Sequence, residues 1–304
     1  MVASGLAQGQ PLQIKIMLNL PSTSDLIKKY GLDAKKSLGQ NFILDKNFTD
    51  KIARAAGDLT GFEVLEIGPG PGSLTRSILD AGAKKLTVIE KDERCLEALN
   101  ELKNFYGERL EIIAGDAMTY APSSLFELRR TGLRLTPNAL RLTSPKFKII
   151  ANLPYNIGTV LLFKWLKISD KIESMHLMLQ KEVVQRIVAR PSENHYGRLA
   201  VMVNFLCETK MLFTVSPTVF TPQPKVTSAI VQIIPRQKPL ANVEFGKLEK
   251  VVAAAFNQRR KMLRSSLKSI FENPEEILKE AGIKPELRAE NLTIEEFCKL
   301  AEKL

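Results

Sequence analysis

The sequence is poor in the residues on which disulfide, metal and redox chemistry depend. Its 304 residues include three cysteines, two histidines and one tryptophan. Cys95, Cys207 and Cys298 show no Cys-x-x-Cys spacing, and His176 and His195 fit no metal-ligand pattern. This argues against a disulfide framework and a zinc site, and it favours a reducing compartment. His176 lies in an apolar run of strand type, so we expect it to have a structural role.

Two further absences concern membranes and export. The sequence has no apolar run near the roughly eighteen residues that a membrane-spanning helix requires, and no positively charged, then apolar leader. We therefore expect a cytoplasmic protein that does not bind membranes.

A glycine-rich turn lies between a predicted strand and a predicted helix. The strand is Val64–Ile67, the helix is Ser73–Ala81, and the turn contains Gly68, Gly70 and Gly72. Glycine tolerates a positive φ and lets a ligand approach the backbone. The Gly-x-Gly-x-Gly spacing, with prolines between, differs from the dinucleotide pattern Gly-x-Gly-x-x-Gly, and the turn lacks the Gly-Lys-Ser/Thr of triphosphate sites. It favours S-adenosylmethionine (SAM) as the cofactor.

An acidic residue lies just after each of the next two predicted strands. Lys85–Ile89 is followed by Glu90, which can accept both ribose hydroxyls of a nucleoside, and Leu110–Ala114 is followed by Asp116, which can accept the adenine amino group. Taken singly, Glu90 could be a surface charge and Asp116 a turn residue. Together they favour one cofactor site, because the carboxyl ends of parallel strands share an edge of the sheet.

A fourth predicted strand, Phe147–Ala151, leads into Asn152-Leu153-Pro154-Tyr155. The N6 amine of adenine is a poor nucleophile, and it attacks better when acceptors hold its two hydrogens. The Asn152 side-chain oxygen and the Leu153 carbonyl can be those acceptors, with Pro154 fixing the backbone and Tyr155 stacking on the base. Such a site acts by orientation and charge stabilisation and needs no metal and no covalent intermediate. Cytosine-carbon methylation would need a nucleophilic cysteine, and none lies near these motifs.

In order and spacing, these motifs closely resemble those of the ribosomal RNA adenine N6,N6-dimethyltransferases that act on small-subunit rRNA. The resemblance extends from about Lys36 to the C-terminus and includes Ser37–Asp45, Gln180–Arg186, Tyr196–Leu199 and Val219–Ser228. It implies an α/β class I SAM-dependent methyltransferase fold, Rossmann-like with a mostly parallel seven-stranded sheet, and a small C-terminal helical domain. It also implies dimethylation of two adjacent adenosines near the 3′ end of 16S rRNA during ribosome biogenesis. We expect a monomer that acts on the small ribosomal subunit.

The resemblance also implies roles for single residues. Asn41 and Ile43 would contact the cofactor, and Phe220 would stack on the target adenine opposite Tyr155. The predicted catalytic residues are Asn152, Leu153, Pro154, Tyr155 and Phe220. The predicted cofactor-binding residues are Gln40, Asn41, Ile43, Glu66, Gly68, Gly70, Gly72, Glu90, Lys91, Asp116, Ala117 and Asn152.

The predicted RNA contacts are basic. The chain has 44 Lys and Arg against 33 Asp and Glu, a formal net charge of +11, which suits a polyanionic partner. On a helix, Arg260, Arg264 and Lys268 would form one stripe facing phosphates, although a charged run can also be a solvated surface. The predicted RNA-binding residues are Arg198, Lys225, Arg259, Arg260, Lys261, Arg264 and Lys268.

The predicted organisation has three parts. They are a partly flexible N-terminal extension (1–35), a SAM-binding methyltransferase domain (36–235) and a helical RNA-binding domain (240–304), with helices at about 244–257, 259–271, 274–282 and 293–303. In the extension, Ser24-Asp25 is predicted to cap a short helix ending at Tyr30. An apolar helix is predicted at Gly197–Glu208, and Val226–Ile234 is predicted to be the last strand. The family resemblance implies that this strand belongs to an antiparallel hairpin. The segment 123–146 is a basic insertion that either assists RNA binding or has no role.

Other functions stay open on sequence alone. One alternative is methylation of adenine in large-subunit rRNA, as in the macrolide-resistance methylases. Another is a noncatalytic ribosome-assembly RNA-binding factor, against which the intact Glu90, Asp116, Asn152 and Tyr155 argue. DNA adenine methylation is less favoured, because extrusion of a base from a duplex would need a target-recognition domain that the sequence does not indicate.

Overall fold

The computed structural model describes residues 20–34, 40–120 and 146–304. The N-terminal extension up to residue 19, the segment 35–39 and all of the predicted insertion except Lys146 lie outside the described residues. Contacts within the chain define two compact units. The described residues of the first unit lie within 20–120, 150–154 and 218–224. Those of the second unit lie within 146–149, 155–217 and 225–304.

The first unit alternates strands and helices. Its elements are α1 (Thr23–Tyr30), β1 (Phe42–Ile43), α2 (Lys46–Ala55), β2 (Glu63–Ile67), α3 (Ser73–Asp80), β3 (Lys85–Glu90), α4 (Glu93–Tyr106), β4 (Leu110–Ala114) and β8 (Phe220–Thr221). Strand β2 pairs in parallel with β3, and β3 pairs in parallel with β4. The register places Ile67 beside Ile89 and Glu90 beside Ala114, so the three strands end at one edge. This is the edge at which α/β sheets bind ligands.

A short antiparallel ladder also belongs to the first unit. Phe42 pairs with Thr221 and Ile43 pairs with Phe220, which joins β1 to β8. All four residues except Thr221 are buried. The ladder brings the predicted N-terminal cofactor motif beside the predicted base-stacking phenylalanine, although they are far apart in the sequence.

The second unit contains the antiparallel strands and most of the remaining helices. Its elements are α5 (Gly158–Leu166), β6 (Ile172–Gln180), α6 (Lys181–Val188), α7 (Arg198–Leu206), β7 (Cys207–Val215), β9 (Ser228–Pro235), α8 (Phe245–Asn257), α9 (Leu263–Ser266), α10 (Pro274–Glu280) and α11 (Ile294–Ala301). Strand β9 pairs antiparallel with both β6 and β7, which confirms the predicted antiparallel hairpin. In β6, His176 is buried beside Gln232, and burial lowers the pKa of His176 to about 4, so the imidazole is neutral at pH 7.

Seven strands form one sheet in the order β4-β3-β2-β5-β6-β9-β7, where β5 is Phe147–Asn152. The sheet and its helices confirm the predicted α/β class I methyltransferase fold. No helix in the described part of the chain is long and apolar enough to cross a membrane. Within the same residues, no group of three or more His, Cys, Asp and Glu side chains could hold a metal ion.

The C-terminal helices share a hydrophobic core with α7. Phe205, Val251, Leu263, Leu278 and Phe297 are all buried in this core. Apolar side chains recurring three or four positions apart along each helix supply it, and burying one such side chain contributes roughly 1.5–3 kcal/mol. The predicted boundary between domains at about 235–240 stays a prediction.

The predicted helix at 259–271 is wrong. Helix α9 spans only Leu263–Ser266, a 3₁₀ turn follows at Leu267–Ser269, and Arg260 lies in a turn before the helix. The polar run from Asn257 to Lys261 has no apolar residue to pack against the core, whereas Leu263 and Leu267 are both fully buried. Arg260, Arg264 and Lys268 therefore do not form one helical stripe.

Other predicted boundaries also differ from the structure, among them the start of the first helix, the end of the apolar helix, and the last strand, which is Ser228–Pro235. The N-cap of α1 is Ser22, whose side chain accepts a hydrogen bond from the Asp25 N–H while Asp25 accepts from the Ser22 N–H. The apolar helix α7 ends at Leu206, and strand β7 begins at Cys207 because Glu208 and the residues after it pair with β9.

Candidate active site

The glycine turn is packed too tightly to accept side chains. Gly70 and Gly72 have φ values of +55° and +85°. A Cβ on Gly72 would lie 2.3 Å from Leu102 Cδ1, and a Cβ on Gly70 would lie 3.0 Å from Phe42 Cε1. The turn therefore exposes backbone rather than side chains at the edge of the sheet, as a nucleoside cofactor requires.

Glu90 joins this turn to the end of β3. Its Oε2 accepts a hydrogen bond from the Gly70 N–H and its Oε1 accepts from the Asp92 N–H, both at 2.8 Å. Burial raises the pKa of Glu90, and these backbone donors oppose the rise. Each carboxylate oxygen has a second lone pair, so Glu90 can accept ribose hydroxyls while it holds the turn.

Asp116 lies two residues past the end of β4, whose last residue, Ala114, is in register with Glu90. The Gly115 N–H donates to the Glu90 carbonyl at 2.8 Å, which brings Asp116 beside the end of β3. The Asp116 carboxylate accepts from the Met118 N–H and from Lys91 Nζ, both at 2.8 Å. Lys91, predicted to bind the cofactor, thus contacts Asp116 directly. Ala117 is buried next to it.

Glu66 lies inside the first unit rather than at its surface. Only 2% of the residue is exposed, and its Oε2 accepts a hydrogen bond from Thr75 Oγ in α3. Burial raises the pKa of Glu66 to about 8, the Thr75 hydroxyl opposes this, and the neighbouring Glu90 adds to it. Its role in binding the cofactor stays a prediction.

Asn152 is oriented by the N-terminal motif. Its Nδ2 donates a hydrogen bond to the Asn41 carbonyl at 3.3 Å, so among the described residues the backbone of Asn41 engages the nitrogen end of this side chain. The oxygen end is left as an acceptor. Leu153 is buried, and the Pro154 ring lies 3.7 Å from where a Cβ on Gly68 would be. The structure thus brings Asn152–Pro154 to the glycine turn.

Phe220 is also part of the first unit, paired with Ile43 and only 2% exposed. Its proposed stacking on a base stays a prediction, because the ring is covered in this structure. Tyr155, in the second unit, is held by a 2.7 Å hydrogen bond between its hydroxyl and Ser228 Oγ. Ser228 is buried in β9 and was not among the predicted site residues.

Asp92 and Arg94 were also missed. The Asp92 carboxylate binds Arg94 and accepts a hydrogen bond from Gln40 Nε2 at 2.9 Å. A signal existed in the sequence, because an Asp directly before a helix is a typical N-cap, but helix α4 itself was not predicted. Its contact with Gln40, 52 positions away, depends on the tertiary fold.

The chain matches a known family over most of its length. The profile of the family described as "Ribosomal RNA adenine dimethylase" matches residues 31–304. The chain belongs to this family. The prediction made from the sequence motifs is therefore confirmed at the level of the family.

Similar proteins agree with this assignment. The chain is 50% identical over 288 residues to "Ribosomal RNA small subunit methyltransferase A" of Paramagnetospirillum magneticum, covering 95% of this chain and 96% of the relative. Among solved structures it is similar to a dimethyladenosine transferase from Plasmodium falciparum, with a TM-score of 0.69, 27% identity and coverage of 85% and 95% of the two chains. It is also similar to the 23S rRNA methyltransferase ErmE, with a TM-score of 0.64, 26% identity and coverage of 87% and 99%.

The predicted RNA-binding residues of this family member fall into two groups. Three arginines form ion pairs within the second unit, namely Arg198 with Glu249 at 2.7 Å, Arg259 with Glu290 at 3.3 Å and Arg264 with Glu275 at 3.5 Å. The other four, Lys225, Arg260, Lys261 and Lys268, are exposed, as Arg198 and Arg259 also are, but within the described residues no carboxylate pairs with them. Arg259 also donates to the Asn194 and Tyr196 carbonyls, at 2.9 and 3.4 Å. These contacts give Arg259 a structural role.

Proposed function

We propose that the protein transfers methyl groups from SAM to N6 of two adjacent adenosines near the 3′ end of 16S rRNA in the small ribosomal subunit. The products are N6,N6-dimethyladenosines, formed during ribosome biogenesis in the cytoplasm. Membership of the ribosomal RNA adenine dimethylase family supports the reaction. The 50% identity to a relative named for the small subunit supports the substrate.

The observation that carries the proposed chemistry is the hydrogen bond from Asn152 Nδ2 to the Asn41 carbonyl. With its nitrogen engaged, the side chain offers Oδ1 as an acceptor. An adenine amine whose hydrogens are held by Asn152 Oδ1 and the Leu153 carbonyl presents its lone pair for attack. The site then stabilises the positive charge that develops on the nitrogen.

The cofactor fits the edge formed by the ends of β2, β3 and β4. SAM would supply a methyl group activated by the positive charge of its sulfonium sulfur, and S-adenosylhomocysteine would be the leaving group. Glu90 would accept hydrogen bonds from the ribose hydroxyls, and the side-chain-free backbone of the glycine turn would let the cofactor approach. Asp116 and the adjacent backbone N–H groups would bind the adenine. Glu90 and the turn are already fixed to each other by the Gly70 hydrogen bond, so little ordering remains when the cofactor binds.

The RNA is bound by exposed cations of the second unit. We assign the phosphate contacts to Lys225, Arg260, Lys261 and Lys268, because no carboxylate engages them among the residues that the structure describes. The ion-paired Arg198, Arg259 and Arg264 contribute less, since a new phosphate contact would have to replace an existing one. Three of these four cations lie in the region 240–304, which acts as the main RNA-binding part of the chain, and Lys225 lies before it.

A large-subunit substrate is the second candidate, because ErmE shares the fold. Identity separates the two, at 26% to ErmE against 50% to the small-subunit relative. The test is to incubate the protein with labelled SAM and, in parallel, small subunits that lack the modification, large subunits, naked rRNA and DNA. Label on small subunits supports the proposal, whereas label on large subunits alone supports the second candidate. Label on none, with SAM bound, supports a noncatalytic assembly factor.

A further inference from the structure

Asp92 lies two residues after Glu90 and begins helix α4. Its carboxylate is nearly buried, with 5% of the residue exposed. Arg94 contacts both carboxylate oxygens, with Nε 3.0 Å from Oδ1 and Nη2 2.6 Å from Oδ2, and the Arg94 N–H donates to Oδ1 at 3.3 Å. The Arg94 guanidinium lowers the pKa of Asp92 to about 2, so the carboxylate is ionised at pH 7.

The same carboxylate holds the N-terminal motif. Gln40 Nε2 donates to Asp92 Oδ2 at 2.9 Å. Gln40 directly precedes Asn41, whose carbonyl accepts the hydrogen bond from Asn152, and the next two residues pair with β8. A hydrogen bond to an ionised acceptor is about twice as strong as one between neutral groups. Asp92 therefore fixes the start of the segment that orients Asn152.

Asp92 also contacts the cofactor side of the site. Its backbone N–H donates to Glu90 Oε1 at 2.8 Å, and Glu90 Oε2 holds the Gly70 N–H. One residue thus touches both the carboxylate proposed to bind ribose and the segment that orients the proposed catalytic asparagine. Helix capping alone does not require the contact with Gln40, because the cap is made by Oδ1 and the Gln40 contact by Oδ2.

We propose that Asp92 is a positioning residue for methyl transfer, acting through Gln40 and Asn41 on Asn152. The inference rests on the proposed function, because it takes the transfer step to depend on Asn152. A displacement of about 1 Å at a reacting group can lower a rate by roughly 100-fold. Loss of the hydrogen bond that holds residues 40–43 should therefore lower the turnover rate. The competing interpretation is that Asp92 only stabilises α4.

Three variants separate these interpretations. Asp92→Ser keeps an N-cap side chain but is too short to reach Gln40. Gln40→Leu removes the donor and leaves Asp92 and its ion pair intact. Arg94→Met is the matched control, because it removes the ion pair with Asp92 and keeps both the cap and the Gln40 hydrogen bond.

The first readout is kcat for methyl transfer to small subunits at saturating SAM. Saturating SAM is needed because Gln40 is itself a proposed cofactor-binding residue, and weaker SAM binding would otherwise lower the observed rate. We expect Asp92→Ser and Gln40→Leu each to lower kcat by about 10-fold or more, and Arg94→Met to stay within about threefold of the wild type. The double variant Asp92→Ser/Gln40→Leu should be no slower than the slower single variant, because both remove the same contact. Wild-type kcat in either single variant, additive losses, or an equal loss in Arg94→Met would overturn the proposal.

The second readout does not need activity. Amide hydrogen exchange of residues 41–44 in the free protein should accelerate in Asp92→Ser and Gln40→Leu but not in Arg94→Met. Unchanged exchange in the first two variants would refute the anchoring role. A wild-type protein that transfers no methyl group would instead contradict the proposed function, so the two failures are distinguishable.

Discussion

The side-chain nitrogen of Asn152 donates a hydrogen bond to the backbone carbonyl of Asn41, 111 positions earlier in the chain. In the proposed function, this contact determines which end of the Asn152 amide would face the substrate. A carbonyl can only accept, so it selects the nitrogen end of the side chain and leaves the oxygen end for a donor. An exocyclic amine, with two hydrogens to donate, is the matching partner.

Replacing Asn152 should separate catalysis from binding. We expect Asn152→Ala to lower kcat by about 100-fold or more, since removing one preorganised transition-state contact typically costs that much. Affinity for SAM, measured by calorimetry, should fall by less than about tenfold, because Glu90 and Asp116 remain. Asn152→Asp is the companion variant. It keeps the acceptor but places a carboxylate against the Asn41 carbonyl, so it should also be slow. Wild-type turnover by Asn152→Ala would refute the assignment.

Glu90 should control cofactor affinity. In Glu90→Gln, one carboxylate oxygen is replaced by an amide nitrogen, which cannot accept a hydrogen bond. Either the Gly70 N–H or the Asp92 N–H is then buried without its acceptor. An unsatisfied buried donor costs about 1–3 kcal/mol, and we expect SAM affinity to fall by roughly 10-fold to 100-fold. Glu97→Gln, on the exposed side of α4, is the control and should bind SAM as the wild type does. Equal affinity in both variants would show that Glu90 does not organise the site.

Glu66 should make stability dependent on pH. Its folded pKa of about 8 lies above its ordinary value of 4.5 because the side chain is buried. Between these two values the folded protein keeps a proton that the unfolded chain releases, so stability is lost as the pH rises from about 4.5 to about 8. We expect Glu66→Gln to match the wild type in thermal stability at pH 5 and to exceed it at pH 8.5, by on the order of 3 kcal/mol. The measurement is thermal unfolding of both proteins across this range, and parallel curves would contradict the prediction.

The cations assigned to phosphate contacts and the ion-paired arginines should differ in their effect on RNA binding. We expect Arg260→Ala/Lys261→Ala/Lys268→Ala to weaken binding to small-subunit rRNA and to reduce the slope of log K against log salt by about two to three, near one per lost phosphate contact. Arg198→Ala/Arg259→Ala/Arg264→Ala removes the same number of charges. It should change the slope less and lower thermal stability more, because Arg259 also holds the Asn194 and Tyr196 carbonyls. Equal slopes in the two triple variants would show that ion pairing does not decide which cations contact the RNA phosphates.

Local sequence signals predicted the framework of the site well. Strand β4 has the predicted bounds, and β3 includes Glu90 as its last residue, because short apolar runs next to glycine turns have few alternatives. Helices predicted at about 274–282 and 293–303 are present as α10 and α11, which have Asn273 and Thr293 as their N-cap residues.

Sequence patterns of exposed residues, which do not affect packing, gave wrong predictions. The four-residue spacing of Arg260, Arg264 and Lys268 suggested a helix, but exposed charges gain little from helical alignment. Burial of Leu263 and Leu267 determines where the chain folds back, and it leaves Arg260 in a turn. The contacts from Gln40 to Asp92 and from Asn152 to Asn41 could not be predicted either, because they arise only when distant segments pack together.

Mapping of the methylated bases tests the central claim most directly. Small subunits lacking the modification are incubated to completion with labelled SAM and the wild-type protein, and the rRNA is digested and analysed by mass. We expect two adjacent N6,N6-dimethyladenosines near the 3′ end of 16S rRNA, with no label elsewhere. Methyl groups on another base, on large-subunit rRNA or on no nucleic acid would contradict the central claim.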